Sequence, residues 1–307
     1  MPPLVPGTGT TGDLDPFFVF DFVPVDDPAD AGPRAPSRRG DGSTRDHADT
    51  DSPGPRLTTY WRVERGCRGP QPLPDWVVTD AGAVDTDLGV LKTGKEADVH
   101  LLDRTAPDGT GAVMAAKRYR SPEHRSFHRS SAYAEGRRVR RSRDTRALQR
   151  RTGYGRRLAA AEWAHAEWRA LRTCWEVGVP VPYPVQLDGT EILMEFVGEG
   201  RAAAPRLAGL RPAPDLLEHY YEQVRAVVLT LAAQHLAHGD LSPYNLLADG
   251  DRLVAIDLPQ VVDLVGNPAG PEFLRRDCRT MASWFRARGR EVDPDALVEE
   301  ALGYVGW

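Results

Sequence analysis

The 307-residue chain is poor in sulfur, with three cysteines and four methionines. Cys67, Cys174 and Cys278 lie far apart and form no CxxC pair, so neither a disulfide framework nor a thiolate zinc site is indicated. No apolar run reaches the roughly 18 to 20 residues that a membrane-spanning helix needs, and the start, MPPLVPGTGTTGDLD, lacks the basic-then-apolar order of a signal peptide. A cytoplasmic protein without membrane contact is expected. Lysine is scarcest of all relative to need: the 39 basic residues comprise 36 arginines and three lysines, and Lys92, Lys95 and Lys117 fall within one short span. A lysine kept where arginine is the rule points to a site that takes a compact ammonium in place of a planar fork. The net charge of −5 says little about partners until its distribution is considered.

What is present divides the chain in three. Residues 1–58 are rich in Asp, Pro, Gly, Ser and Thr, a composition that cannot bury enough apolar surface to offset the entropy of ordering, and predict a disordered tail. One aromatic island within it, DPFFVFDFVPV at 15–25, has the make-up of a docking peptide or of a sticky unstructured segment. Residues 59–197 predict a small sheet-rich lobe, with globular patterning from about residue 72. LGVLKTGKEADVHLLDR reads as strand, tight Thr-Gly turn, strand, and GAVMAAKRYR as a third strand. A strongly basic stretch follows, from Arg118 to Arg157. The next segment carries Leu158, Trp163, Ala166, Ala170, Leu171 and Trp175 at helical spacing, with Gly178 as its stop. YPVQLDGTEILMEFVGEG predicts a hairpin turning at Asp188-Gly189. Residues 198–307 predict a helical lobe: a long helix ending at His238-Gly239, two short strands over 246–248 and 253–256, then two further helices.

A small sheet lobe followed by a helical lobe is the outline of a protein kinase, an α+β two-lobed fold. Phosphoryl transfer from ATP needs a cover over the phosphates, a cation on them, an acid to position that cation, a base facing the acceptor and metal ligands. The chain offers these in order. The cover is KTGKEADV, where Gly94 lets backbone amides approach phosphate and Lys92 and Lys95 add charge. Lys117 is the strand cation, between small residues that leave room for adenine. Glu167, four residues before Leu171 on the amphipathic helix, is the positioning acid, with Glu162 as competitor. In HGDLSPYNLL, Asp240 is the base or orienting acid and Asn245 a metal ligand, bracketed by Leu246 and Leu247 in the core. Asp257, after the strand LVAI, is the second ligand, since magnesium prefers oxygen donors and takes one or two carboxylates.

LKTGKEADV, AAKRYR, ILMEFVGEG, HGDLSPYNLL and IDLPQ together resemble the RIO family of atypical serine/threonine kinases, from about Pro74 to Gly289. The resemblance implies a Mg2+- and ATP-dependent kinase with a reduced helical lobe. It implies that Lys92, Thr93, Gly94, Lys95 and Glu96 form the nucleotide loop, that Lys117 pairs with Glu167 on the α and β phosphates, and that Met194, Glu195 and Val197 line the adenine hinge. Asp240 is then the catalytic acid, and Asn245 and Asp257 hold magnesium.

The family also implies a helical lobe without an ordinary activation segment, and no APE motif follows IDLPQVVDLVGNPAGPEFL. Two features depart from the pattern. The family often has Ser where Lys92 stands. Leu258-Pro259 replaces the Phe-Gly of ordinary kinases after Asp257, which argues for a fixed metal loop. The Arg-rich segment 118–157 corresponds to the family's flexible segment; its arginines suit contact with RNA or a ribosomal subunit by phosphate neutralisation, or are a solvated loop. Two other functions fit parts of the pattern: a nucleotide-gated ribosome-assembly ATPase passing through phosphorylated Asp257, and a small-molecule phosphotransferase, which TGKEA disfavours.

Overall fold

The computed structural model describes residues 54–120, 153–258 and 261–306. The aromatic island at 15–25, most of the expected tail and residues 121–152 of the basic segment lie outside the described residues. Strands β1 (Arg56–Leu57), β2 (Val84–Thr93), β3 (Ala97–Thr105), β4 (Gly111–Tyr119), β5 (Pro184–Asp188) and β6 (Glu191–Glu195) form one antiparallel sheet in the order β1-β2-β3-β4-β6-β5. The pleat sends alternate side chains to opposite faces. Met114 and Ala116 of β4 pack outward with Leu102, Leu193, Tyr60 and Tyr183. Tyr119 packs inward against helix α1 (Gly153–Glu176), with Ala160, Ala164, Trp168 and Leu171. That parity puts Lys117 on the inner, helix-facing side.

The folded part begins earlier than the composition suggested. Arg56 and Leu57 pair with Asp85 and Val84, and Tyr60, Leu73, Trp76 and Val77 cover the outer face of the sheet. These anchors are isolated among Pro, Gly and Arg and follow no period, so the segment 54–72 carries no strand or helix signal. A buried polar cluster ties it down. The Arg104 guanidinium, wholly enclosed, forks onto Asp85 at 2.6 and 2.9 Å and onto Gln186 Oε1 at 3.0 Å, and Gln186 Nε2 donates to Thr59 Oγ1 at 2.8 Å.

Helix α1 stops in a Schellman arrangement: Gly178 takes φ +83°, its N–H donates to Trp175 O, and Val179 N–H reaches back to Cys174 O. The hairpin β5–β6 turns one residue later than expected. Asp188 pairs with Glu191, so Gly189 and Thr190 are the central pair, and Gly189 supplies the positive φ of 59°.

In the second lobe the small hairpin of β7 (Gly198–Glu199) and β8 (Ala202–Ala203) leads to helix α2 (Pro214–Ala233). This helix ends at Ala233, short of the predicted His238-Gly239. His235 turns left-handed, with φ 58°, and its carbonyl accepts from Leu264 N, so that β9 (Leu236–Ala237) can pair with β12 (Val262–Asp263). A tertiary strand pairing therefore outcompetes helix propagation. Strands β10 (Leu246–Asp249) and β11 (Arg252–Ala255) form the expected hairpin, and helices α3 (Gly270–Arg286) and α4 (Pro294–Val305) close the lobe, the latter capped by Asp293 at its start. This is the two-lobed α+β, protein-kinase-like fold that the sequence predicts. Among the described residues no helix is long and apolar enough to cross a membrane.

Removing the acid under Arg104 leaves an uncompensated buried charge, which costs about 3–5 kcal/mol. Asp85→Ala should lower the unfolding free energy by that order in urea denaturation followed by tryptophan fluorescence; a loss within error of zero would show the cluster to be dispensable.

Candidate active site

The inner face of β4 and helix α1 bring the first two groups together. Lys117 Nζ donates to Glu167 Oε1 at 2.6 Å, and Tyr119, two residues on and therefore on the same face, donates its hydroxyl to the other Glu167 oxygen. Glu167 is 2% exposed, so the competition with Glu162 is decided by burial. Across the cleft Lys117 Nζ also meets Asp257 Oδ1 at 3.1 Å. Burial alone would pull the Lys117 ammonium down, but Glu167, Tyr119 and Asp257 more than offset it and hold the group well above its ordinary value. Lys117 in turn holds the Asp257 carboxyl below its usual range against the effect of burial. Asp257 has φ 66°, a left-handed conformation that is uncommon outside glycine. Leu258 behind it is fully buried, in keeping with a fixed loop, while Pro259 lies outside the described residues.

The segment HGDLSPYNLL is a bracket, as its composition suggested, with one change. Pro243–Asn245 form a single 3₁₀ turn. Asn245 Nδ2 donates to the Asp240 carbonyl at 2.9 Å and to Asp240 Oδ2 at 3.2 Å, and the Asn245 carbonyl accepts from Ile256 N at 2.9 Å. This fixes the loop beside Asp257 and leaves the Asn245 Oδ1 oxygen as an available donor atom. Leu246 is buried as expected. Leu247 is not an anchor in the same core: strand alternation turns it to the other face, where its backbone bridges Arg206. Partial burial pushes the Asp240 carboxyl up, with Arg276 opposing and Asp257 adding, although one side of the residue stays exposed.

At the nucleotide loop, Gly94 closes the turn through Gly94 N–H to Ala97 O, and a Cβ there would come within 2.8 Å of that carbonyl. Close approach, not a positive φ, is what requires glycine. The Thr93 hydroxyl supports Asp98, the Glu96 carbonyl accepts from Arg120 N, and Lys92 and Lys95 are exposed. Met194 is half-buried at the end of β6. The Glu195 carboxylate is taken by Tyr183 N and Arg252 Nη2, at 3.0 and 3.2 Å, and Val197 is buried with its carbonyl accepting from Ala204 N. At Glu195 and Val197 the side chains are thus occupied elsewhere, as are the Glu195 N–H, which donates to Tyr183 O, and the Val197 carbonyl. Arg118 and Arg120, which open the basic segment, are neutralised by Asp87, Glu191 and Asp98.

The donor set fits a hard cation. Among the described residues no group of three or more His, Cys, Asp or Glu could enclose a metal by itself. Magnesium is held by one or two carboxylates with phosphates completing the shell, and the Asp257 carboxylate beside the Asn245 amide oxygen suits that mode.

The RIO domain family model matches residues 105–297. The chain belongs to the RIO family. A RIO-type serine/threonine-protein kinase Rio1 of Haloferax volcanii is 36% identical over 225 residues, which cover 73% of this chain and 72% of that protein. The serine/threonine-protein kinase RIO1 of Saccharomyces cerevisiae is 28% identical over 68% of this chain, which spans only 46% of the yeast protein. A crystal structure of the Rio2 kinase–ADP/Mg2+–phosphoaspartate complex from Chaetomium thermophilum aligns with TM-score 0.48 and 20% identity, covering 70% of this chain and 62% of that one.

Sequence reasoning missed two residues that hold the loop of this RIO domain. Asp277, buried on α3, accepts from Gly239 N at 2.8 Å and Leu241 N at 2.9 Å. Arg276 donates to the Gly239 carbonyl. An acid on the apolar stripe of Phe273, Leu274, Cys278 and Met281 was the available signal for Asp277.

Two buried groups here titrate in opposite senses. Burial pushes His238 down to about 4, from 6.5. Its stabilising contribution is complete above about pH 6.5 and is lost as pH falls towards 4, at ~1.4 kcal/mol per unit. Burial pushes Asp277 up to about 7, from 3.8, so its contribution is complete below 3.8 and is lost as pH rises towards 7. Between pH 4 and 6.5 the slopes oppose each other. Asp277→Asn should unmask the His238 slope, and urea midpoints at several pH values check it: a variant no more acid-sensitive than the wild type would refute the pairing.

Proposed function

We propose that this RIO protein transfers the γ-phosphate of Mg-ATP to a serine or threonine hydroxyl of a protein acceptor, another copy of itself included. The observation that carries the reading is the convergence of Glu167 and Asp257, from α1 and the loop after β11, on the Lys117 ammonium of the sheet, each within hydrogen-bonding distance of it. An ammonium held charged between two carboxylates suits the α and β phosphates of a nucleotide, with Glu167 fixing its direction and Asp257 free to turn to a metal. Asn245 and Asp257 would hold magnesium, which when bound neutralises charge on the phosphate oxygens. The backbone at Gly94 can approach the phosphates, with Lys92 and Lys95 beside it, and the stretch Met194 to Val197 would lie against adenine. Asp240 is supported by Asn245 on one side and faces open solvent on the other, where an acceptor hydroxyl would lie; its raised proton affinity suits a group that takes that proton.

Incubation with labelled ATP, magnesium and protein acceptors tests this. Asp240→Asn should reduce transfer by about 10²–10⁴-fold with nucleotide affinity nearly unchanged. Lys117→Ala should weaken nucleotide binding or turnover. Full transfer by Asp240→Asn would remove Asp240 from the role of base, and label recovered only as a base-labile acyl phosphate would overturn the kinase reading in favour of an ATPase.

A further inference from the structure

Arg56, Arg104, Arg118, Arg120, Arg225, Arg252 and Arg290 each meet an acid. A strip beside the cleft does not. Arg206 is anchored next to the HGDLSPYN loop by its backbone bridge to Leu247 and by Ala248 N donating to Pro205 O, and its guanidinium donates to the Tyr244 carbonyl. Lys92 is exposed near the end of β2; partial desolvation of its ammonium, then the Arg206 charge, pull it down, with Asp257 opposing. Below Arg206 the segment 207–210 is held by Arg288, which donates to Ala208 O at 2.9 Å and Leu210 O at 2.8 Å and stacks on Trp284 at 4.0 Å. Arg288 is lowered by burial and then by the neighbouring exposed Arg211. Among the described residues none of Lys92, Arg206, Arg211 and Arg288 has a carboxylate at ion-pair distance. Tyr244, between Asp240 and Asn245 in sequence, is 66% exposed at the head of this strip.

Like charges gathered without counter-ions raise the local anion concentration, and an acidic partner relieves the repulsion. We infer that Lys92, Arg206 and Arg211, with Tyr244 beside them, form the docking surface for an acidic polypeptide acceptor, in which Asp or Glu residues flank the target hydroxyl. This rests on the kinase reading above. A nucleic acid would also answer the charge, but the strip starts at the loop that carries Asp240, so a chain lying along it presents its own hydroxyl to that carboxylate.

The test is fluorescence anisotropy in Mg-ADP with two labelled serine peptides that differ only in flanking Asp or flanking Arg, and a short single-stranded RNA as a third probe. The acidic peptide should bind about tenfold more tightly than the basic one at low salt. Arg206→Gln combined with Arg211→Gln should erase that difference, the glutamine at 206 keeping a donor for the Tyr244 carbonyl. Equal binding of the two peptides, no binding of either, a preference that survives the double substitution, or RNA bound about tenfold more tightly than the acidic peptide would each overturn the proposal. Binding and turnover of Mg-ATP by the same preparations report on the kinase reading separately: their absence counts against that reading whatever the peptides do.

Discussion

The constraint on which the site depends is that an ammonium facing the inside of a sheet must be matched by carboxylates from elsewhere in the chain. Lys117 is placed inward by the parity of β4, and an isolated charge there would be costly to desolvate. Glu167 supplies the fixed partner and Tyr119 occupies its second oxygen, so the acid cannot swing away. The pair in turn fixes how α1 lies on the sheet. Asp257 completes the match from the other lobe, which makes this cluster one of the electrostatic contacts between the lobes, beside Arg252 with Glu195.

The second lobe is organised around a loop whose own sequence cannot hold it rigid. Gly239 has φ 80°, and the residues after it form one 3₁₀ turn. Rigidity comes from α3, where Asp277 grips two loop amides and Arg276 a loop carbonyl, and from Asn245, whose amide is pinned to Asp240. The same hold brings Asn245 beside Asp257 through the bond from Ile256 N. The polar bracket is thereby positioned by packing in the core of the lobe, away from solvent. The outer rim of that loop, at Tyr244, remains free to meet another chain.

The legible parts of the molecule were those with local signals. Alternating strands around Gly94, the amphipathic stripe of α1 and the hairpin near Gly189 carry periodicity and turn chemistry, and the TGKEA and HGDLSPYN motifs carry residue types that few other sites need together. What escaped was non-local. The anchors Tyr60 and Trp76 have meaning only against the outer face of the sheet. The end of α2 at Ala233 depends on β12, which arrives some thirty residues later. Leu247 looked like a core residue until its strand's alternation was known, and the bonds of the Glu195 carboxylate to Tyr183 N and Arg252 join residues far apart in the chain.

By itself the sequence determined the order of elements, the two-lobed class and the identity of the polar groups, because helix and strand periods and motif spacing are properties of short segments. Only the tertiary structure decided which acid meets Lys117, which groups hold the Asp240 loop and which cations are left without acids. Those outcomes depend on distances between residues far apart in the chain, and a buried charge or an unmatched one is defined by what surrounds it in space.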